Sequence, residues 1–269
     1  MSEFEKHLKD LRLACKTEFE FEKHLKGLGL ACKTEFGNSS ISIYSNFWYA
    51  DNKNKICITF TPRGGCSISF QLYLDLLGLL NDALNYNPFV HYYRGDIFEK
   101  HVVYCDINQL VNDGYTFIKF IMNPYIRAVS IFRAQTSHNL SFREYLIQLV
   151  NNEWDYFNGD DKWHLHPQYI CGEENIITKY VKIDKNETFN ITLFDGTPYT
   201  LDVNKYSSVH HGIKNKDNVT FCGDMSKDVI NANLPKSYKY FYDDEIKKMV
   251  ETFYIKDIEH YGYSFNDFE

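Results

Sequence analysis

Residues Lys55 to Gln71, KICITFTPRGGCSISFQ, constrain the chain more than any other stretch. Ile56, Ile58 and Phe60 alternate with Cys57 and Thr59, a run compatible with a buried strand, and Pro62 has no N–H to continue a ladder. The strand is expected to stop at Thr61. Gly64 and Gly65 let the backbone turn tightly, and the next helix, with Ser67 as expected N-cap, begins with amides that can converge on an anion. Arg63 adds positive charge beside them. Taken alone, the pattern describes either an ordinary βα turn or a phosphate cradle.

Any anion must be held by such a local pocket, because the net charge of -7, from 29 basic and 36 acidic residues, recommends neither nucleic acid nor a membrane surface as a partner. Seven cysteines stand singly, at 15, 32, 57, 66, 105, 171 and 222. Without a CxxC pair, neither a metal site nor a disulfide framework is expected. No signal-like or bilayer-length apolar run occurs, so a soluble, cytoplasmic protein is expected.

Residues 3–19 and 20–36 are a tandem duplicate, EFEKHLKDLRLACKTEF then EFEKHLKGLGLACKTEF. Phe4, Leu8, Leu11 and Cys15 share one helical face, as do Phe21, Leu25, Leu28 and Cys32, which predicts a helical or partly helical lead-in without a role in the chemistry. Residues 1–40 are therefore set apart, and 41–269 form the expected globular domain. Within it, Ile41–Tyr49 reads as a strand before the turn Asp51–Asn54. Phe70, Leu74, Leu77, Leu80 and Leu84 mark one helix after the glycine turn. His101–Ile107 and Tyr115–Met122 read as the second and third buried strands. Asn123-Pro124 opens a helix over Tyr125–Gln135, and Ser141 with Glu144 forms a capping box for a helix reaching about Trp154. Ile176–Asp184 and Thr188–Leu201 read as short strands, the latter turning at Asp195-Gly196, and the tail from Asp243 reads as an amphipathic helix. Strands alternating with helices predict an α/β fold with a parallel sheet, its ligand site beyond the carboxyl ends of the strands.

PRGGCS (62–67), MNPYIRAVSIF (122–132), HLHPQ (164–168) and YDDEIKKMVETFYIKDIEHYGY (242–263), in that order, resemble the carbohydrate sulfotransferase family. The resemblance covers about residues 44 to 263. It implies a three-layer, P-loop NTPase-like sulfotransferase fold with 3′-phosphoadenylyl sulfate as donor, no metal, and a glycan or other hydroxyl compound as acceptor. Carried onto this sequence, it assigns the donor to Arg63, Gly64, Gly65, Cys66, Ser67, Ile68, Arg127 and Ser130. Arg63 is expected to do electrostatic work, since a guanidinium keeps its proton. For the base that accepts the hydroxyl proton, His101 is the first choice, from the likeness of HVVYCDI to uronic-acid O-sulfotransferases, with Glu99 and His164 as alternatives.

One departure stands out. Met122 occupies the place of the arginine that opens the family's 3′-phosphate motif, so a charge-assisted contact of about 1.5–3 kcal/mol is missing unless Arg127, Arg133, Lys214 or Lys216 supplies it. A second function therefore stands beside the enzyme: a catalytically impaired protein on the same fold that binds nucleotide weakly, or binds a glycan or protein. Trp154 and Trp163 are the aromatics suited to a sugar ring. A P-loop kinase is disfavoured because no Lys follows Gly65, and a cysteine phosphatase because Leu72 stands six residues after Cys66.

Overall fold

The computed structural model describes residues 30–32, 47–98, 107–135, 138–151, 153, 157, 164–206, 220–232, 235 and 237–268. Five strands form the main sheet: β1 (Leu30–Cys32), β2 (Phe47–Asp51), β3 (Ile56–Phe60), β4 (Thr116–Ile121) and β5 (Lys179–Lys182), hydrogen-bonded in that order. The sheet is mixed rather than parallel: β1 and β2 run antiparallel at one edge, while β3, β4 and β5 are mutually parallel. The reason is the short link at 52–55, too short for a crossover, so β2 and β3 must form a hairpin. Asp51 holds that turn by accepting bonds from the Lys53 and Asn54 amides at 2.9 and 3.2 Å.

Within the second copy of the duplicate, expected to be helical or partly helical, Leu30, Ala31 and Cys32 are extended and pair with Ala50, Tyr49 and Trp48. An open β2 edge supplies backbone partners that a helical stripe in isolation does not have. The other residues of both copies lie outside the described residues.

Alternation along the strands builds two apolar faces. Ile56, Ile58, Phe60, Ile118, Phe120 and Val181 meet helix α1 (Cys66–Leu76), with Phe70, Tyr73 and Leu74 turned toward them. The opposite face carries Cys57 and Phe117 and packs on α4 (Ile107–Asn112), in chain order after α2 (Leu80–Tyr86) and α3 (Val90–Asp96). The single helix expected through Leu84 is in fact two. Gly78 takes φ 74, and the Gly78 and Leu79 amides close onto Asp75 and Leu74 carbonyls, ending α1 with a glycine stop. Residues 101–106 of the expected second strand lie outside the described residues, and Ile107 begins α4.

Helix α5 (Pro124–Ala134) is capped by Asn123, whose side chain accepts from the Tyr125 amide at 2.9 Å. Helix α6 (Phe142–Val150) has both bonds of the Ser141–Glu144 capping box and ends at Val150, short of Trp154. After α7 (Lys227–Ala232), the tail forms α8 (Asp244–Phe253) and α9 (Ile255–Tyr261), with Ile246 and Val250 packed on α5 and α6 residues. The expected strand at 188–201 is the antiparallel hairpin β6 (Thr188–Thr192) and β7 (Pro198–Asp202). No described helix is long and apolar enough to cross a membrane.

Candidate functional site

The turn after β3 folds the backbone tightly ahead of α1. Thr61 O accepts the Gly64 amide at 2.8 Å, while Arg63 takes φ 60 and Gly65 φ 96. Arg63 is a non-glycine residue in the left-handed region, a cost accepted where a turn over-determines the backbone. Gly65, not Ser67, is the N-cap of α1, and no side chain caps the helix. The amides of Cys66, Ser67 and Ile68 belong to a first turn that no intrahelical carbonyl can serve.

Both glycines are required by their neighbours. A Cβ on Gly64 would lie 2.9 Å from Gln168 Oε1 and 3.0 Å from Thr61 O, and one on Gly65 would overlap Ile183 Cδ1. The turn is therefore pressed against two other segments, the Gln168 loop and Ile183 just after β5.

Arg127 braces the turn from beneath. It is wholly buried, with Nε and Nη2 donating to Pro62 O at 3.2 and 3.1 Å and Nη2 donating to His164 O and His166 O at 3.0 and 2.7 Å. The side chain expected to hold a 3′-phosphate thus gives Nε and Nη2 to backbone carbonyls, while its buried Nη1 has no hydrogen-bond partner among the described residues. Gln168 completes the brace by donating from Nε2 to Met122 O at 2.8 Å and accepting the Met122 amide at 2.9 Å. Asp257 in turn accepts the Gln168 and Tyr169 amides at 2.8 and 2.7 Å. Burial raises the Asp257 carboxyl above its ordinary range, opposed by Arg127, these amides and Lys119. Lys119, buried in the centre of β4, donates to Gln168 O at 2.5 Å and pairs with Glu173. Burial, together with Arg127, lowers His166.

On the other side of the turn stands His91, a residue without any motif in the sequence. Its Nε2 lies 2.9 Å from Ser67 Oγ and 3.5 Å from Cys66 Sγ. The hydroxyl expected to cap the helix points instead at an imidazole. Ser67 and His91 are 24 positions apart in sequence, and the chain between them passes through α2 and returns on α3, so only the packing of these short helices makes the pair. The one local signal is the Asn87-Pro88 break, where the Asn87 side chain accepts the Phe89 amide at 2.8 Å just before α3.

Of the expected donor residues, Arg63 to Ile68 lie together in the turn. Ser130 lies on α5, one turn beyond Arg127, and is 9 % exposed. Met122 is half-buried against the apolar cluster of β3, β4 and α1. Arg133 donates to Tyr238 OH at 3.2 Å. The backbone of His164 is held by Arg127. His101, Glu99, Lys214, Lys216, Trp154 and Trp163 lie outside the described residues. Beside Asn123, Asp184 accepts the Asn123 amide at 2.9 Å and Tyr263 OH at 2.8 Å, while burial raises its carboxyl.

Among the described residues, no group of three or more His, Cys, Asp and Glu comes together as a metal site. No family model, curated protein or solved structure matches the chain.

Proposed function

We propose that the protein transfers a sulfuryl group from 3′-phosphoadenylyl sulfate to a hydroxyl acceptor, most simply a carbohydrate. The observation that carries the reading is the turn at 61–68, where a left-handed Gly65 heads α1 beside Arg63 at the carboxyl end of β3. That geometry favours an oxyanion through backbone amides, a fixed guanidinium charge and the positive end of the helix. The four ordered sequence landmarks narrow the oxyanion to a phosphosulfate.

In this reading Arg63 and the first α1 amides hold the phosphosulfate and take up the charge that grows as its bridging oxygen leaves. The donor supplies the sulfuryl group. The acceptor oxygen bonds to sulfur as the bridging S–O bond breaks, and the hydroxyl proton passes to an imidazole. The 2.9 Å Ser67–His91 contact makes His91 the described imidazole suited to that step. His101, the base by sequence likeness, is the other candidate for the same step.

A second reading has its own observation. With Met122 packed in an apolar cluster and Arg127 committed to carbonyls, the grip on a 3′-phosphate is weakened, as expected of a protein that binds nucleotide without turning it over. Calorimetric titration with 3′-phosphoadenosine 5′-phosphate separates the cases. Binding by wild type, its loss in Arg63→Ala and its strengthening in Met122→Arg support the cradle, and sulfate transfer in a labelled-donor acceptor screen then supports the enzyme. Binding without transfer to any acceptor favours the second reading. No heat from wild type or Met122→Arg refutes both nucleotide readings.

A further inference from the structure

Four described cysteines are free, and their surroundings differ sharply. Cys57 is buried and its thiol is pushed far up by burial. Cys222 is buried, with its thiol also raised by burial and donating to Thr220 O at 3.0 Å. Cys171 is exposed. Cys66 is partly exposed, opens α1, and has His91 Nε2 3.5 Å from its sulfur. A thiol beside an imidazole that can take its proton, at a helix end that favours the resulting anion, is the arrangement that makes sulfur nucleophilic.

We propose that Cys66 is a peroxide-reactive thiol, that His91 is its proton carrier, and that its oxidation closes the cradle to oxyanions. The reaction balances within the pair. His91 takes the Sγ proton, and sulfur attacks one oxygen of hydrogen peroxide as the O–O bond breaks. The departing hydroxide takes the proton back from the imidazolium and leaves as water. Sulfur is oxidised by two electrons to a sulfenic acid and the peroxide is reduced by two. The new oxygen is carried by the first residue of α1, whose own amide, with those of Ser67 and Ile68, an oxyanion of a ligand would use. A low-molecular-weight thiol restores the site by forming and then exchanging a mixed disulfide.

Only the consequence for the nucleotide rests on the proposed function, since the reactivity belongs to the Cys66–His91 pair alone. The full-length protein is treated with hydrogen peroxide, trapped with dimedone and read peptide by peptide, with exposed Cys171 as internal reference. Cys66 is expected to react ~10-fold faster than Cys171 despite its lower exposure. His91→Gln, which retains a polar side chain for Ser67, and His91→Ala are each expected to remove that advantage while leaving the Cys171 rate unchanged, the latter also reporting an intact fold. In parallel, peroxide should abolish 3′-phosphoadenosine 5′-phosphate binding by wild type, and subsequent treatment with a low-molecular-weight thiol should restore it. A Cys66 rate at or below that of Cys171, or one indifferent to both His91 variants, overturns the proposal. If the untreated protein binds no nucleotide, the functional reading fails and the labelling rates still decide this one.

Discussion

Replacing Arg127 by Met tests whether the turn is braced from the core. Met preserves much of the stem that lies near Tyr254, whose ring is 5.6 Å from the guanidinium carbon, but it removes every donor. Pro62 O, His164 O and His166 O each lose a charge-assisted bond, and an acceptor left without one costs about 1–3 kcal/mol according to how much water reaches it. The Pro62 contact is fully buried and the other two are part-buried, so a loss of about 3–5 kcal/mol is expected. That is a large share of a typical domain's stability. Arg127→Lys keeps the charge, yet one ammonium cannot span three carbonyls in the guanidinium's fork geometry, and a loss of about 1.5–3 kcal/mol is expected. Urea unfolding followed by fluorescence and circular dichroism measures both, with nucleotide titration on the folded variants. Stability of Arg127→Met within about 0.5 kcal/mol of wild type would refute the brace. So would a Lys variant of unchanged stability that had lost its ligand, since Arg127 would then be a contact residue.

Gly65→Ala places a methyl into Ile183 at a backbone φ of 96, so a loss of at least about 1–3 kcal/mol in thermal or urea unfolding is expected, with weakened anion binding. An Ala variant as stable as wild type would contradict the close approach of Ile183 to the turn. Asp75 accepts Lys205 Nζ at 2.6 Å, Tyr206 OH at 2.7 Å and Tyr199 OH at 2.9 Å, tying α1 to the hairpin region. Burial works to raise its carboxyl, but these bonds prevail and hold it below the ordinary value. Its stabilising contribution is therefore present above the unfolded pKa, near 3.9, and is lost as pH falls through the folded pKa. Asp75→Asn should lower the urea midpoint at pH 7 and much less at pH 3, and an equal loss at both would contradict the ionic account.

The cradle was legible because it is local. A strand, Pro62, two glycines and a helix start lie within a dozen residues, and each acts through its own backbone preference. The capping box at Ser141 and the hairpin turn at Asp195-Gly196 were legible for the same reason. Periodicity alone missed one local stop and one sheet edge. Leu80 and Leu84 share the spacing of Phe70 and Leu74, but Gly78 ends the helix between them, and Leu30 to Cys32 were drawn into a strand by a sheet edge that a helical plot does not contain.

What the sequence determined by itself is the chemistry available at the turn: an arginine, a thiol and a hydroxyl around a Gly-Gly step at the end of a buried strand. What only the tertiary structure decided is how each group is used. Arg127 matches a phosphate-binding pattern in one dimension, yet it lies in the core because Pro62 and the 164–166 segment present carbonyls to it there. His91 matches nothing in one dimension, yet it stands 2.9 Å from Ser67 because α2 and α3 fold back along α1. A residue's type follows from sequence, but whether its polar atoms face a ligand or a neighbour depends on which distant segments the core brings beside it.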